Sequence, residues 1–270
     1  MIKNIARRPR IWGISVFAML PLIASSGERA VLTAAQVVVK DGVYLARDTG
    51  NKISGRVEIH DEKGLLVSRT DVSEGLPDGS VEWFHPNGRL RLKGTQHAGK
   101  WHGGYEVFWP SGVLRVRGAY IDGRLDQADE VFFESGVMSY RILYKNGVID
   151  GRYEAFYPDG QPRQRADYVM NLRHGSQEEY HPNGALAVRL EFDRGVEHGV
   201  YERFSDSGQL IEKGSYQNGL REGVFEEYWA NGQIRERATY RHGRRDGVLE
   251  QYHGNGRPLR TVTFREGLAY

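Results

Sequence analysis

GVFEEYWANGQIRERATYRHGRRD, residues 223–246, is one copy of a 24-residue unit that fills most of the chain. Blocks of that length begin at Gly55, Gly79, Gly103, Gln127, Gly151, Gly175, Gly199, Gly223 and Gly247, and the ninth closes on Tyr270 without an insertion or deletion. The fourth place is glutamate in every block, from Glu58 to Glu250, and the tenth is always glycine. The twenty-first is glycine in all but one, where Asn171 stands; asparagine is the side chain that best tolerates the left-handed region. A fixed period of this length means a stacked-repeat architecture in which each unit packs on its neighbours.

Within a block, two extended segments flank a turn such as Pro86-Asn87-Gly88 or Ala230-Asn231-Gly232, which is a β-hairpin signal. A three-residue loop suits it, because proline sets the first turn residue and glycine takes the left-handed third place. Position 7 of the block then faces position 11, 6 faces 12 and 3 faces 15. This register predicts a core stripe of positions 6, 12 and 18, represented in residues 223–246 by Tyr228, Ile234 and Tyr240. It predicts a wetter face on which Tyr105 pairs with Arg117, Tyr153 with Arg165, Tyr201 with Lys213 and Phe225 with Arg237. Small residues at position 16, among them Gly118, Ala166, Gly214 and Ala238, leave room for rings from adjacent hairpins. The predicted fold is all-β: an elongated single-layer antiparallel sheet of nine hairpins, on the order of 85 Å long at about 4.8 Å per strand. Residues 55–270 hold the repeats, residues 27–54 are a linker with capping strands, and Asp41–Ser54 is expected to cover the first sheet edge. Pro162 and Pro258 at position 12, with Gln127 and Asp129 in the fourth block, predict a bend or loosening around residues 127–165.

The first residues differ in kind. Lys3, Arg7, Arg8 and Arg10 precede an apolar run from Ile11 to Ala24, followed by Ser25-Ser26-Gly27. That layout predicts a signal peptide over residues 1–26 and a periplasmic or secreted protein, with an uncleaved inner-membrane anchor as the alternative. The run is short for a spanning helix, which needs about 20 residues. The chain has no cysteine, which removes disulfides and thiolate metal sites, and a net charge of +2 is too small to announce nucleic acid.

The repeated Glu and aromatic at positions 4 and 6, the Asn-Gly turn, the aromatic at position 18 (Tyr216, Tyr240) and the closing Asp-Gly (Asp78-Gly79, Asp246-Gly247) resemble the MORN-repeat variant of bacterial YwqK-type antitoxins, over about residues 36–270. The resemblance implies a non-enzymatic hairpin ribbon that binds proteins, in some members a toxin or secreted effector.

The residues themselves point away from chemistry. A glutamate present once per repeat, about 9.6 Å from its next copy, reads as a structural fastening. Histidines at positions 7 and 24 of successive hairpins are too far apart to share a metal. No catalytic residue, metal site or cofactor is expected. The candidate partner-binding residues are Trp109, Tyr157 and Trp229 at position 7, together with Tyr105, Tyr153, Arg117, Arg165 and Arg237 of the wetter face. The expectation is a protein partner bound by a chain that is monomeric when free. The alternative is an envelope-associated scaffold touching lipid head groups through its arginine row.

Overall fold

A computed structural model describes residues 30–270, so the expected signal segment lies outside the described residues. All regular structure in this range is β, and it falls into two units, divided between Lys100 and Trp101.

The first unit opens with β1 (Val31–Thr33), β2 (Val37–Lys40) and β3 (Val43–Ala46). It continues with β4 (Gly55–His60), β5 (Leu66–Ser73), β6 (Leu76–Phe84) and β7 (Leu90–His97). Strands β4 to β7 form an antiparallel meander. The strand on the outer edge of β4 is β1, which runs parallel to it, while β2 and β3 form a separate hairpin. The edge cover therefore comes from upstream of Asp41–Ser54, a correction to the sequence expectation. Its driving force is apolar: Leu32, Val37, Ile53, Val57 and Val72 are buried together, with Tyr44, Ala46 and Ile59 packed against them.

The second unit comprises β8 (Lys100–Phe108), β9 (Leu114–Ile121), β10 (Arg124–Phe132), β11 (Met138–Lys145), β12 (Val148–Phe156), β13 (Pro162–Val169), β14 (Leu172–Tyr180) and β15 (Leu186–Asp193). After these come β16 (Val196–Phe204), β17 (Leu210–Gln217), β18 (Leu220–Tyr228), β19 (Ile234–Arg241), β20 (Arg244–Tyr252), β21 (Pro258–Arg265) and β22 (Leu268–Ala269). Each pairs antiparallel with the next, as consecutive hairpins require.

The Asn-Gly loop has the expected three-residue form. Trp229 N–H donates to the Gln233 carbonyl at 2.8 Å, Gly232 N–H donates to the Trp229 carbonyl at 2.9 Å, and Gly232 holds φ 81°. The opposite edge is turned by two residues that both have positive φ, as at Asn218 (52°) and Gly219 (78°), the type I′ signature. Asn171 takes the glycine conformation there with φ 68°.

One residue overturns the predicted faces. Tyr228 pairs with Ile234 as expected, but Glu227 pairs with Glu236, so Arg235 is an extra residue in a β-bulge. The same shift recurs in every complete hairpin, for example between Ala155 and Phe156 and between Arg203 and Phe204. Beyond the bulge, position 4 faces 15 and position 3 faces 16: Glu226 lies opposite Arg237, and Phe225 opposite Ala238. A slip of one residue exchanges inside for outside. Positions 3, 16 and 18 form the buried face, and positions 4, 6, 12 and 15 form the other.

The expected pairings of Tyr105 with Arg117, Tyr153 with Arg165, Tyr201 with Lys213 and Phe225 with Arg237 are thus corrected, as is the common core stripe of Tyr228 and Tyr240. Phe225 is only 3% exposed. Its ring meets Tyr240 at 5.3 Å and Tyr216 at 5.6 Å between centroids, both edge-on. The expectation for small residues holds: a Cβ on Gly214 would come within 2.5 Å of the Phe225 ring. Pro162 and Pro258 begin their strands, and the pairs around them keep the register of the other hairpins, so the expected loosening is not seen in the ladder.

Candidate functional site: the ladder face and its turn edge

Because positions 4 and 15 face each other both within and between hairpins, the second unit carries an unbroken line of alternating charge. It runs Glu106, Arg117, Glu130, Arg141, Glu154, Arg165, Glu178, Arg189, Glu202, Lys213, Glu226, Arg237, Glu250. Arg189 reaches Glu202 at 3.0 Å and Glu178 at 3.4 Å, and Arg237 reaches Glu226 at 2.8 Å and Glu250 at 3.5 Å. The first unit has its own short version, Arg69 between Glu58 and Glu82 at 2.9 Å on each side. The bases also stack on the position-6 rings of the same face: Arg117 over Phe132 at 5.8 Å and Arg165 over Tyr180 at 5.5 Å. Tyr228 and Tyr180 donate their hydroxyls to Glu226 and Glu178, each at 2.5 Å. Burial and the adjacent Glu178 push the Tyr180 phenol above its ordinary value. The repeated glutamate is therefore a fastening, held by bases of the adjacent strands and, at Glu178 and Glu226, by the tyrosine two residues along its own strand.

The position-7 side chains lie along the turns, and several of them tie one hairpin to the next. Trp109 Nε1–H donates to the Phe132 carbonyl at 3.3 Å, Tyr157 Oη–H to the Tyr180 carbonyl at 2.8 Å, and Trp229 Nε1–H to the Tyr252 carbonyl at 3.1 Å. In all three the acceptor is 23 residues downstream, the mark of one contact repeated. Each such bond contributes about 1 kcal/mol. The outer ring faces keep arginine neighbours, Arg115 over Trp109 at 4.4 Å and Arg235 over Trp229 at 5.7 Å.

Of the eight candidates, Trp109, Tyr157, Trp229, Arg117, Arg165 and Arg237 share the ladder face and its turn edge. Tyr153 does not: it is buried and packs edge-on against Tyr168 at 6.5 Å. Tyr105 lies on the same inner side, 5.0 Å from Tyr120, with its hydroxyl on the buried Asp129.

The buried side also holds residues that sequence reasoning missed. Arg221 lies 4.4 Å over Phe225 and 5.4 Å over Tyr240, Arg173 lies 4.0 Å over Phe192, and Arg245 lies 5.6 Å over Phe264, so position-23 arginines roof the rings. Acids at position 14 hold two of these roofs: Glu212 accepts from Arg221 at 2.8 Å, and Glu236 accepts from Arg245 at 2.8 Å. Glu212, 5% exposed, also accepts from Tyr201 and Arg203 at 3.1 Å. The readable signal was the nine-residue spacing of Glu212 to Arg221 and Glu236 to Arg245.

Among the described residues no group of three or more His, Cys, Asp or Glu is placed to hold a metal ion. An open cleft of about 590 Å³ is lined by Tyr240, Thr263, Phe264 and Tyr270 among others. No helix of the described residues is long and apolar enough to cross a membrane.

The family described as MORN repeat variant matches residues 77–96, 149–170, 173–194, 197–218 and 221–242. No curated protein sequence matches the chain significantly. Among solved structures, the wild-type TCP10 domain of Danio rerio CPAP, in complex with a peptide of Danio rerio STIL, is 12% identical over 78% of this chain and 100% of that one, with a TM-score of 0.28. The crystal structure of TcdB2-TccC3 is 8% identical over 77% of this chain and 15% of that one, with a TM-score of 0.14. Likeness that distant carries no argument. The five family matches lie on hairpins built like their unmatched neighbours, and the chain is accordingly a repeat protein that carries MORN-variant repeats.

Proposed function

We propose that the chain is an exported, non-enzymatic binding scaffold that holds a protein partner on its ladder face and turn edge, in the manner of an immunity or antitoxin protein. The observation that carries the reading is the row of position-7 rings with arginines beside them, of which Trp229 is 38% exposed. Tryptophan, tyrosine and arginine dominate binding energy at protein interfaces. The state of the charges supports a protein over a lipid or nucleic-acid partner. The ladder bases Arg117, Arg189, Lys213 and Arg237 already lie within 2.6–3.0 Å of a glutamate, so the row offers little free positive potential to phosphate. Export rests on the basic and apolar layout of residues 1–26.

Co-expression with the product of the neighbouring gene tests the biological role. An immunity protein relieves that product's toxicity, and a scaffold of another kind does not. We expect the Trp109→Ala/Trp229→Ala double variant to bind the partner at least tenfold more weakly while its circular dichroism stays unchanged. Unaltered affinity would remove the turn edge as the site. Sedimentation with anionic liposomes would favour the lipid alternative.

A further inference from the structure

Positions 22 and 2 of the block accept charged and polar side chains as well as aliphatic ones. Position 22 of the block carries Lys100, Arg124 and Arg244 in some copies, and position 2 carries Arg56, Ser80, Arg152 and Ser176. Hairpin architecture therefore tolerates charge and polarity at both places. In the later blocks the same places hold Val196, Leu220, Val200, Val224 and Val248, each 44–49% exposed. All five project to the ladder side of β16, β18 and β20. Branched aliphatics left half in water where polar residues serve elsewhere mark a contact surface.

Charge pattern and area identify what covers it. Beside these residues runs the ladder segment Glu202, Lys213, Glu226, Arg237, Glu250. Alternating charge is self-complementary under a two-fold axis that lies between two rungs, parallel to the strands. With the axis between β17 and β18, Lys213 of one copy meets Glu226 of the other, and Glu202 meets Arg237. The same rotation sets β16 over β19 of the second copy, β18 over β17 and β20 over β15, so each strand with these aliphatics meets one without them and the two rows interleave, as an isologous interface requires. Six strands, β15 to β20, at about 4.8 Å and nine residues at about 3.3 Å give roughly 860 Å², close to the roughly 800 Å² per partner of a standard interface. We propose that this face of blocks 6–9 is where two copies of the chain pair, sheet against sheet. The proposal departs from the expectation of a monomer, and it does not depend on the identity of any other partner.

Sedimentation velocity of the full chain over a concentration series tests it. The wild-type protein shifts from monomer to dimer as concentration rises. Leu220→Arg/Val224→Arg installs side chains that other copies carry at the same two places, and it weakens the dimer at least a hundredfold with circular dichroism unchanged. Val200→Ser/Val248→Ser, milder for folding and again matched to other copies, weakens it at least tenfold. A wild-type chain that stays monomeric at its highest soluble concentration would overturn the proposal. So would a dimer that persists unweakened in both variants.

Discussion

Replacing Phe225 by alanine is expected to lower the unfolding free energy by about 3–5 kcal/mol, the range for truncating a buried aromatic. The ring is enclosed on every side that matters. Tyr201, Tyr216 and Tyr240 surround it at centroid distances of 6.4, 5.6 and 5.3 Å, and the Arg221 guanidinium lies 4.4 Å above it. The backbone of Gly214 lies beneath, so close that no Cβ could be added without displacing the ring. Val224, the preceding residue of the strand, is 49% exposed on the ladder side, and Val224→Ala is expected to change the stability of the monomer by no more than about 0.5 kcal/mol. Urea titrations of the two variants check the pair of values. A mild Phe225→Ala would mean that the bulge at Arg235 is misplaced.

The second large effect is a pH dependence centred on Glu226. Burial alone would raise its pKa, but hydrogen bonds from Tyr228, Lys213 and Arg237 outweigh that and bring it from 4.5 down to about 2. A carboxylate whose pKa is depressed in the folded state contributes stability that is complete above its unfolded value and lost as pH falls through the folded one. The unfolding free energy of the wild-type protein should therefore fall between about pH 4.5 and pH 2. Glu226→Gln keeps the shape of the side chain and removes its charge. It should lose about 3 kcal/mol at neutral pH and flatten the acid limb by a similar amount. A variant with the wild-type acid limb would show that the ladder contributes nothing there.

Turn chemistry was legible from single residues. Gly232 and Asn171 announce left-handed backbone because few other residues adopt it cheaply, and with the 24-residue period they determine hairpin number, loop length and the closing pair. The faces were not legible, because the bulge leaves no mark of its own: Arg235 looks like any strand residue, and its extra place exchanges inside for outside in every hairpin. The glutamates of position 4 were recognised as fastenings, but their bases were assigned one residue out of register. Arg237 was matched with Phe225, and it faces Glu226. The arginine roofs were missed because a charged side chain at position 23 reads as solvated surface until the ring beneath it is placed. The turn-edge candidates kept their places because Trp109 and Trp229 precede the bulge, on the loop side where the register was right.

Position 3 points inward and position 2 outward. Since the chain contains no cysteine, a single engineered thiol reports its own environment. Val248→Cys and Leu249→Cys place that thiol at adjacent residues of one strand, where the native side chains are 44% and 4% exposed. Under native conditions, at a dilution where the chain is monomeric, the thiol at 248 should react with a maleimide at the rate of a free cysteine, while the thiol at 249 should be protected until denaturant unfolds the hairpin. Equal rates at the two positions, or faster labelling at 249, would contradict the face assignment.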